Sequence, residues 1–230
     1  MSSKPKYRKV KTWFSVEKAH EAQLHASKHV IRQSMLPERI DYVAGVDVAY
    51  AGEFSIGAVA VVEYCSLSLV ESRTARLATA FPYIPSLLSF REVPPSVAAI
   101  SKLHAQPDVL LVDGQGIMHP YRFGFASHLG LVIGKPTIGV AKSPLIGEVR
   151  RFTEEGWAPI IDNGENVGAA LLTRSSTRPL YVSVGHKVSL EKAIEIVKHC
   201  TSNTRIPKPV IDAHVLATRN ARAECGKNQK

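Results

Sequence analysis

Four side chains in this sequence have the types and positions to hold a metal or offset developing charge: Asp47, Glu92 and Asp113 as acids and Lys142 as a cation. Asp47 sits inside the apolar stretch YVAGVDVAY (42–50), flanked by Val46 and Val48, so in an extended chain it points to the face opposite theirs. A carboxylate buried there needs a cation, an amide donor or water. Asp113 ends the apolar run DVLLVD and passes at once into GQGIMHP, where two glycines let backbone approach a ligand. If the strands carrying Asp47 and Asp113 are neighbours, the two carboxylates stand side by side and repel unless a divalent cation bridges them. Oxygen donors of this kind suit Mg²⁺, whereas a softer metal would call for Cys and His clusters that the chain lacks. Glu92, in SFREVPP, is a candidate third acid. Lys142, directly after PTIGVA, is a cation at the same sheet edge, placed to hold a phosphate or offset developing charge. His119 is a candidate donor to a substrate. Each residue alone has a plainer explanation: a strand-end Asp caps or turns, a Glu before a proline-started helix is solvated, and a Lys after a strand is the first wet residue.

The elements that must position these residues follow from periodicity. From Ser15 to about Gln33 the spacing of Val16, Ala19, Leu24, Val30 and Ile31 predicts a helix with Ser15 as its N-cap. YVAGVDVAY, SIGAVAVVEY and LSLVESRTARLAT predict three adjacent strands in an antiparallel meander. A helix is expected from Ser96 to Ala105 with Pro94 or Pro95 in its first turn, then DVLLVD as a buried strand. A helix over 122–133 and the strand PTIGVA complete a βαβ unit, which implies two parallel strands. Short strands around 168–173 and 180–184, a helix over about 190–199 and a last helix started by Pro207 and Pro209 close the chain. The fold class is α/β, a mixed sheet flanked by helices with the first strand lying centrally.

Composition sets the bounds. The 230 residues suit a single domain over 1–230, with a basic arm at 1–11 and a polar tail at 226–230. Lys and Arg number 29 against 20 Asp and Glu, a formal charge of +9 that favours a polyanionic partner, nucleic acid rather than membrane. Cys65, Cys200 and Cys225 are odd in number, far apart and without a CxxC pair, which indicates neither a disulfide framework nor a zinc site. No apolar run approaches the ~20 residues of a spanning helix, so a cytoplasmic protein is expected; a monomer is expected as well.

GVDVAY (45–50), PYIPSLLSFRE (82–92), DVLLVDGQGIMHP (108–120), FGFASHLG (123–130) and PTIGVAKS (136–143) together resemble the endonuclease V family, in family order and at family-like separations. The similarity continues through RIPKP (205–209) to the C-terminal helix. The resemblance implies an RNase H-like fold and cleavage of nucleic acid at deaminated adenine, with Mg²⁺ as cofactor and Mn²⁺ as a substitute. The bond cut would be the second phosphodiester 3′ to the lesion, leaving 3′-hydroxyl and 5′-phosphate ends. By motif, Asp47 and Asp113 become metal ligands with Glu92 completing the acidic set, Lys142 a phosphate contact, and His214 a residue near the metals. PYIP puts Tyr83 between residues stiffened by Pro82 and Pro85, with Ile84, on a loop able to hold a ring between separated bases. A flipped hypoxanthine would be read by Ser86, Leu88, Gly114, Gln115, Gly116, His119, Gly124 and Phe125.

Three positions depart from the family pattern. Ser86 stands where glycine is usual after PYIP, so it either narrows the pocket or takes backbone angles that serine dislikes. Tyr121 stands where a basic residue is common, and Pro144 follows AKS. The expected activity is a DNA repair endonuclease acting at deoxyinosine. Its alternatives are an endoribonuclease acting at inosine and a protein that binds deaminated bases with little cleavage.

Overall fold

The first two apolar runs fold onto each other through a two-residue turn in which Gly52 takes φ 57°, a conformation that costs glycine nothing. The computed structural model describes residues 15–173, 178–201 and 204–227; the basic arm at 1–11 and tail residues 228–230 lie outside them. The chain runs α1 (Val16–Ser27), β1 (Tyr42–Ala51), β2 (Phe54–Glu63), β3 (Leu69–Ala78), α2 (Leu88–Ile100), β4 (Val109–Asp113), α3 (Phe125–Ile133) and β5 (Thr137–Ala141). It continues through β6 (Glu148–Val149), β7 (Trp157–Asp162), β8 (Glu165–Leu171), β9 (Leu180–His186), α4 (Leu190–Cys200) and α5 (Lys208–Lys227).

These nine strands form one sheet in the order β3-β2-β1-β4-β5-β9-β8-β7-β6. The meander β1–β2–β3 is antiparallel, as its short links dictate, while β4 and β5 lie parallel to β1 because helices carry their connections. Alternation divides each strand between two cores. Val43, Val109 and Leu111 pack with Val210 of α5 and with α4, whereas Ala44, Val46, Leu110 and Val112 pack with α2 and α3. Each fully buried aliphatic side chain of these strands contributes about 1.5–3 kcal/mol.

Four expectations need correcting. α1 begins as expected, with the Ser15 hydroxyl accepting from the Lys18 amide at 3.2 Å, but ends at Ser27 and not near Gln33. The following backbone is committed elsewhere: Ile31 N–H donates to His186 Nδ1, and its carbonyl accepts from Lys187. α2 starts at Leu88, carries Pro94 and Pro95 in its interior and not in its first turn, and ends at Ile100 and not at Ala105. The Ser96 hydroxyl donates to the Glu92 carbonyl at 2.7 Å inside the turn that the prolines loosen. α3 starts at Phe125 and not at Arg122, which takes φ 52° and forks to Asp162 and Glu165, each at 2.7 Å. β6 and β7 were not anticipated, because Pro159 breaks the strand signal; its carbonyl accepts from Arg150 while it pairs opposite Ala169. Cys65, Cys200 and Cys225 are free thiols, and no helix among the described residues is long and apolar enough to cross a membrane.

Candidate active site

The register of β1 on β4 sets Val46 opposite Val112, so the next residues, Asp47 and Asp113, leave the sheet side by side on the face covered by α5. Helix α5 can lie there because residue 45 is glycine. A Cβ on Gly45 would stand 1.9 Å from the Pro209 carbonyl oxygen, so any side chain would push the start of α5 off the strand. The close approach brings His214, two turns into α5, over Asp47, with Nδ1 at 2.7 Å from Oδ2. Lys142 leaves β5 and places Nζ 2.8 Å from Asp113 Oδ2.

Asp47, Asp113 and His214 each present a ligand atom within 4.8 Å of the others. The expected metal set of Asp47, Glu92 and Asp113 differs from this trio: Glu92 comes from α2, on the opposite face of the sheet, and accepts a hydrogen bond from the Tyr50 hydroxyl at 3.2 Å. Electrostatics nonetheless tie it to the other acids. Burial pushes Glu92 up to about 8, with the charges of Asp47 and Asp113 adding to the rise and the Tyr50 hydrogen bond opposing it. Asp47 is likewise raised, first by burial and then by Asp113, against the pull of His214. Two crowded carboxyls, Asp47 and Asp113, with the His214 imidazole beside them, form a donor set that a divalent cation fits.

Beside the acids opens a cavity of about 270 Å³. Of the residues expected to read a base, Tyr83, Ile84, Pro85, Ser86, Leu88, Gly114, Gln115, His119, Gly124 and Phe125 line it. Pro82, Gly116 and Lys142 stand outside that lining. Gly116 serves the frame instead, since a Cβ there would meet the Val184 carbonyl at 2.0 Å and its bareness lets the loop after β4 lie against β9. Tyr83 is 68% exposed at the cavity mouth. Burial brings His119 down to about 4, so its ring is neutral; Nδ1 accepts from the Tyr121 amide at 3.2 Å, which makes Nε2–H the donor.

The structure adds residues that the sequence reasoning missed. Ser89, Ala141, Ser143, Pro144 and Leu145 complete the wall, and the Gln115 side-chain amide donates to the Ser143 carbonyl at 2.9 Å. Position after Lys142 was the available signal for Ser143 to Leu145. His20 and Gln23 of α1 bond to Ser86 from behind, and no motif marked them. Ser86 itself takes φ 69°, the backbone conformation that a serine in a glycine position was expected to suffer.

Comparison with known proteins agrees with this geometry. A family model described as Endonuclease V matches residues 24–215. An endonuclease V of Thermofilum pendens is 47% identical over 210 residues, covering 91% of this chain and 90% of that protein. The crystal structure of the Streptomyces avermitilis endonuclease V is 37% identical, with a TM-score of 0.85 over 91% of this chain and 94% of that one. The Ciona intestinalis endonuclease V, solved with a 24mer DNA containing an inosine followed by a ribo-adenosine, is 30% identical, with a TM-score of 0.79 over 90% of this chain and 98% of that one. On a match spanning most of its length, with the acid cluster and the cavity in place, this chain belongs to the endonuclease V family.

Proposed function

We propose that the protein is an Mg²⁺-dependent endonuclease that cuts nucleic acid at deaminated adenine, hydrolysing the second phosphodiester on the 3′ side of inosine to leave 3′-hydroxyl and 5′-phosphate ends. The observation that carries this reading is the shared exit of β4. Asp113 belongs to the trio of possible ligands, and the next two residues, Gly114 and Gln115, belong to the cavity wall. Cutting and base reading are thus adjacent, as an enzyme that acts beside an extruded base requires. The inosine-containing DNA bound by the Ciona protein supports inosine as that base.

Asp47, Asp113 and His214 would hold the cation, with Glu92 the next carboxyl in reach of its field. A cation held there supplies Lewis-acid polarisation of the scissile phosphate, and Mn²⁺, which also accepts oxygen ligands, would substitute. Lys142 Nζ, half exposed, turns from Asp113 to a non-bridging phosphate oxygen and offsets charge that grows there in the transition state. His119, Gly114 and Gln115 line the cavity that the base would enter, and Tyr83 stands where a wedge between separated bases belongs. No covalent enzyme intermediate is needed.

The test is strand cleavage with Mg²⁺ on matched oligonucleotides bearing inosine or adenine, in DNA and in RNA. Cutting confined to inosine strands is expected in at least one polymer. Failure to cut inosine strands in either polymer would overturn the proposal.

A further inference from the structure

The cavity wall at Ser86 is held from behind by α1. The Ser86 hydroxyl donates to the Pro85 carbonyl and lies 2.9 Å from His20 Nε2, while His20 Nδ1 lies 2.9 Å from the Tyr121 hydroxyl. With the imidazole neutral, one arrangement of protons satisfies all three contacts. Because Ser86 Oγ gives its proton to Pro85, it accepts from His20 Nε2–H, which leaves Nδ1 as the acceptor for Tyr121. The Tyr121 ring also stacks on the imidazole, with centroids 4.2 Å apart. One turn further along the same helix, the buried Gln23 side chain donates to the Ser86 carbonyl at 2.9 Å and to the Phe123 carbonyl at 3.2 Å. Both polar ends of Ser86 are therefore gripped by one helix, at a residue whose φ of 69° L side chains disfavour. Ser86 and Tyr121, two of the positions where the sequence departs from the family pattern, meet on His20.

We propose that His20, backed by Tyr121 and Gln23, is a positioning residue for base recognition: it draws the Ser86 hydroxyl away from the cavity and holds the Pro85–Ser86 backbone in its left-handed turn. The inference rests on the base-reading function proposed above and extends it by assigning part of the pocket's shape to α1. Without His20, the Ser86 hydroxyl is free to swing into the space a base would fill, and the turn loses a restraint. Glycine at position 86 has no hydroxyl to restrain and adopts the same φ unaided.

The experiment is a mutant cycle read in steady-state cleavage of inosine strands. His20→Ala raises KM about tenfold with kcat within about twofold, and Tyr121→Phe, which keeps the stack but removes one bond, raises KM about threefold. In a Ser86→Gly background the same His20→Ala change moves KM by less than about twofold. Equal KM losses in both backgrounds, or an unchanged KM in His20→Ala alone, would show a helix anchor and overturn the proposal. Amide exchange separates this inference from the function it rests on. The Leu87 amide, bonded to the Ile84 carbonyl at 3.0 Å, exchanges faster in His20→Ala than in the wild type whether or not strands are cut. Unchanged exchange there overturns the positioning role of His20 even in an active enzyme, and a protein inactive on inosine overturns the function alone.

Discussion

A cation drawn to the acids would have to displace the proton that burial favours on Glu92. Its carboxyl and that of Asp47 are both raised, Glu92 to about 8, so a cation binding among the acids competes with protons, and its affinity rises with pH up to about that value. Protein stability reports the same competition. Without a cation, the folded chain keeps a proton on Glu92 that the unfolded chain sheds near 4.5, so stability is lost as pH rises toward about 8. His119 and His128 work at the acid end with the opposite sign. Burial holds both at about 4, so the unfolded chain takes protons first and stability is lost as pH falls from 6.5. Thermal unfolding in a chelator is therefore expected to show a maximum near about pH 6.5. Added Mg²⁺ should raise Tm by several degrees more at about pH 8 than at about pH 6. In Glu92→Gln the alkaline loss should shrink. An Mg²⁺ effect independent of pH would remove Glu92 and Asp47 from the cation's surroundings.

At the scale of elements, α5 owes its place to the absence of a side chain at residue 45. With Pro209 backbone only 1.9 Å from where a Cβ would stand, Gly45→Ala has to lift the helix or bend the strand, at a cost of about 3 kcal/mol or more. Urea unfolding measures that cost. Cleavage should fall further than stability alone accounts for, because His214 moves off Asp47 when α5 moves. β1, β2, β4 and β5 were legible because each is a near-continuous apolar run, and the pairing of β1 with β4 meets the condition under which Asp47 and Asp113 stand side by side. The start of α2 was not legible, since two internal prolines mimic a first turn, and the result hid how firmly Glu92 is fixed within a helix. Pro159 concealed β7 in the same way. His214 was legible only through family resemblance. His20 was invisible for a different reason: its partner Ser86 is 66 residues away, and no local pattern encodes a contact at that distance.

For the molecule as a whole, a formal charge of +9 is a statement about its partner's phosphates. Many of the described cations are already paired, as Lys142 is with Asp113 and Arg122 with Asp162 and Glu165, so the charge acts as a field before it acts as contacts. Raising salt from about 50 to about 200 mM should weaken strand binding by at least about tenfold, and equally for inosine and adenine strands, because counterion release ignores the base. A salt effect confined to inosine strands would place the charges in the pocket instead. The exit of β4 bears on a separate property, the place of the cut. The acid and the first residues of the cavity wall follow one another along a single stretch of chain, with β1 and β5 on either side. No hinge intervenes. On the proposed function, the interval between the base that is read and the bond that is broken would accordingly be a fixed length built into the frame, like the gap between the pin and the blade of a marking gauge. Whichever polymer the enzyme cuts would be scored at the same step.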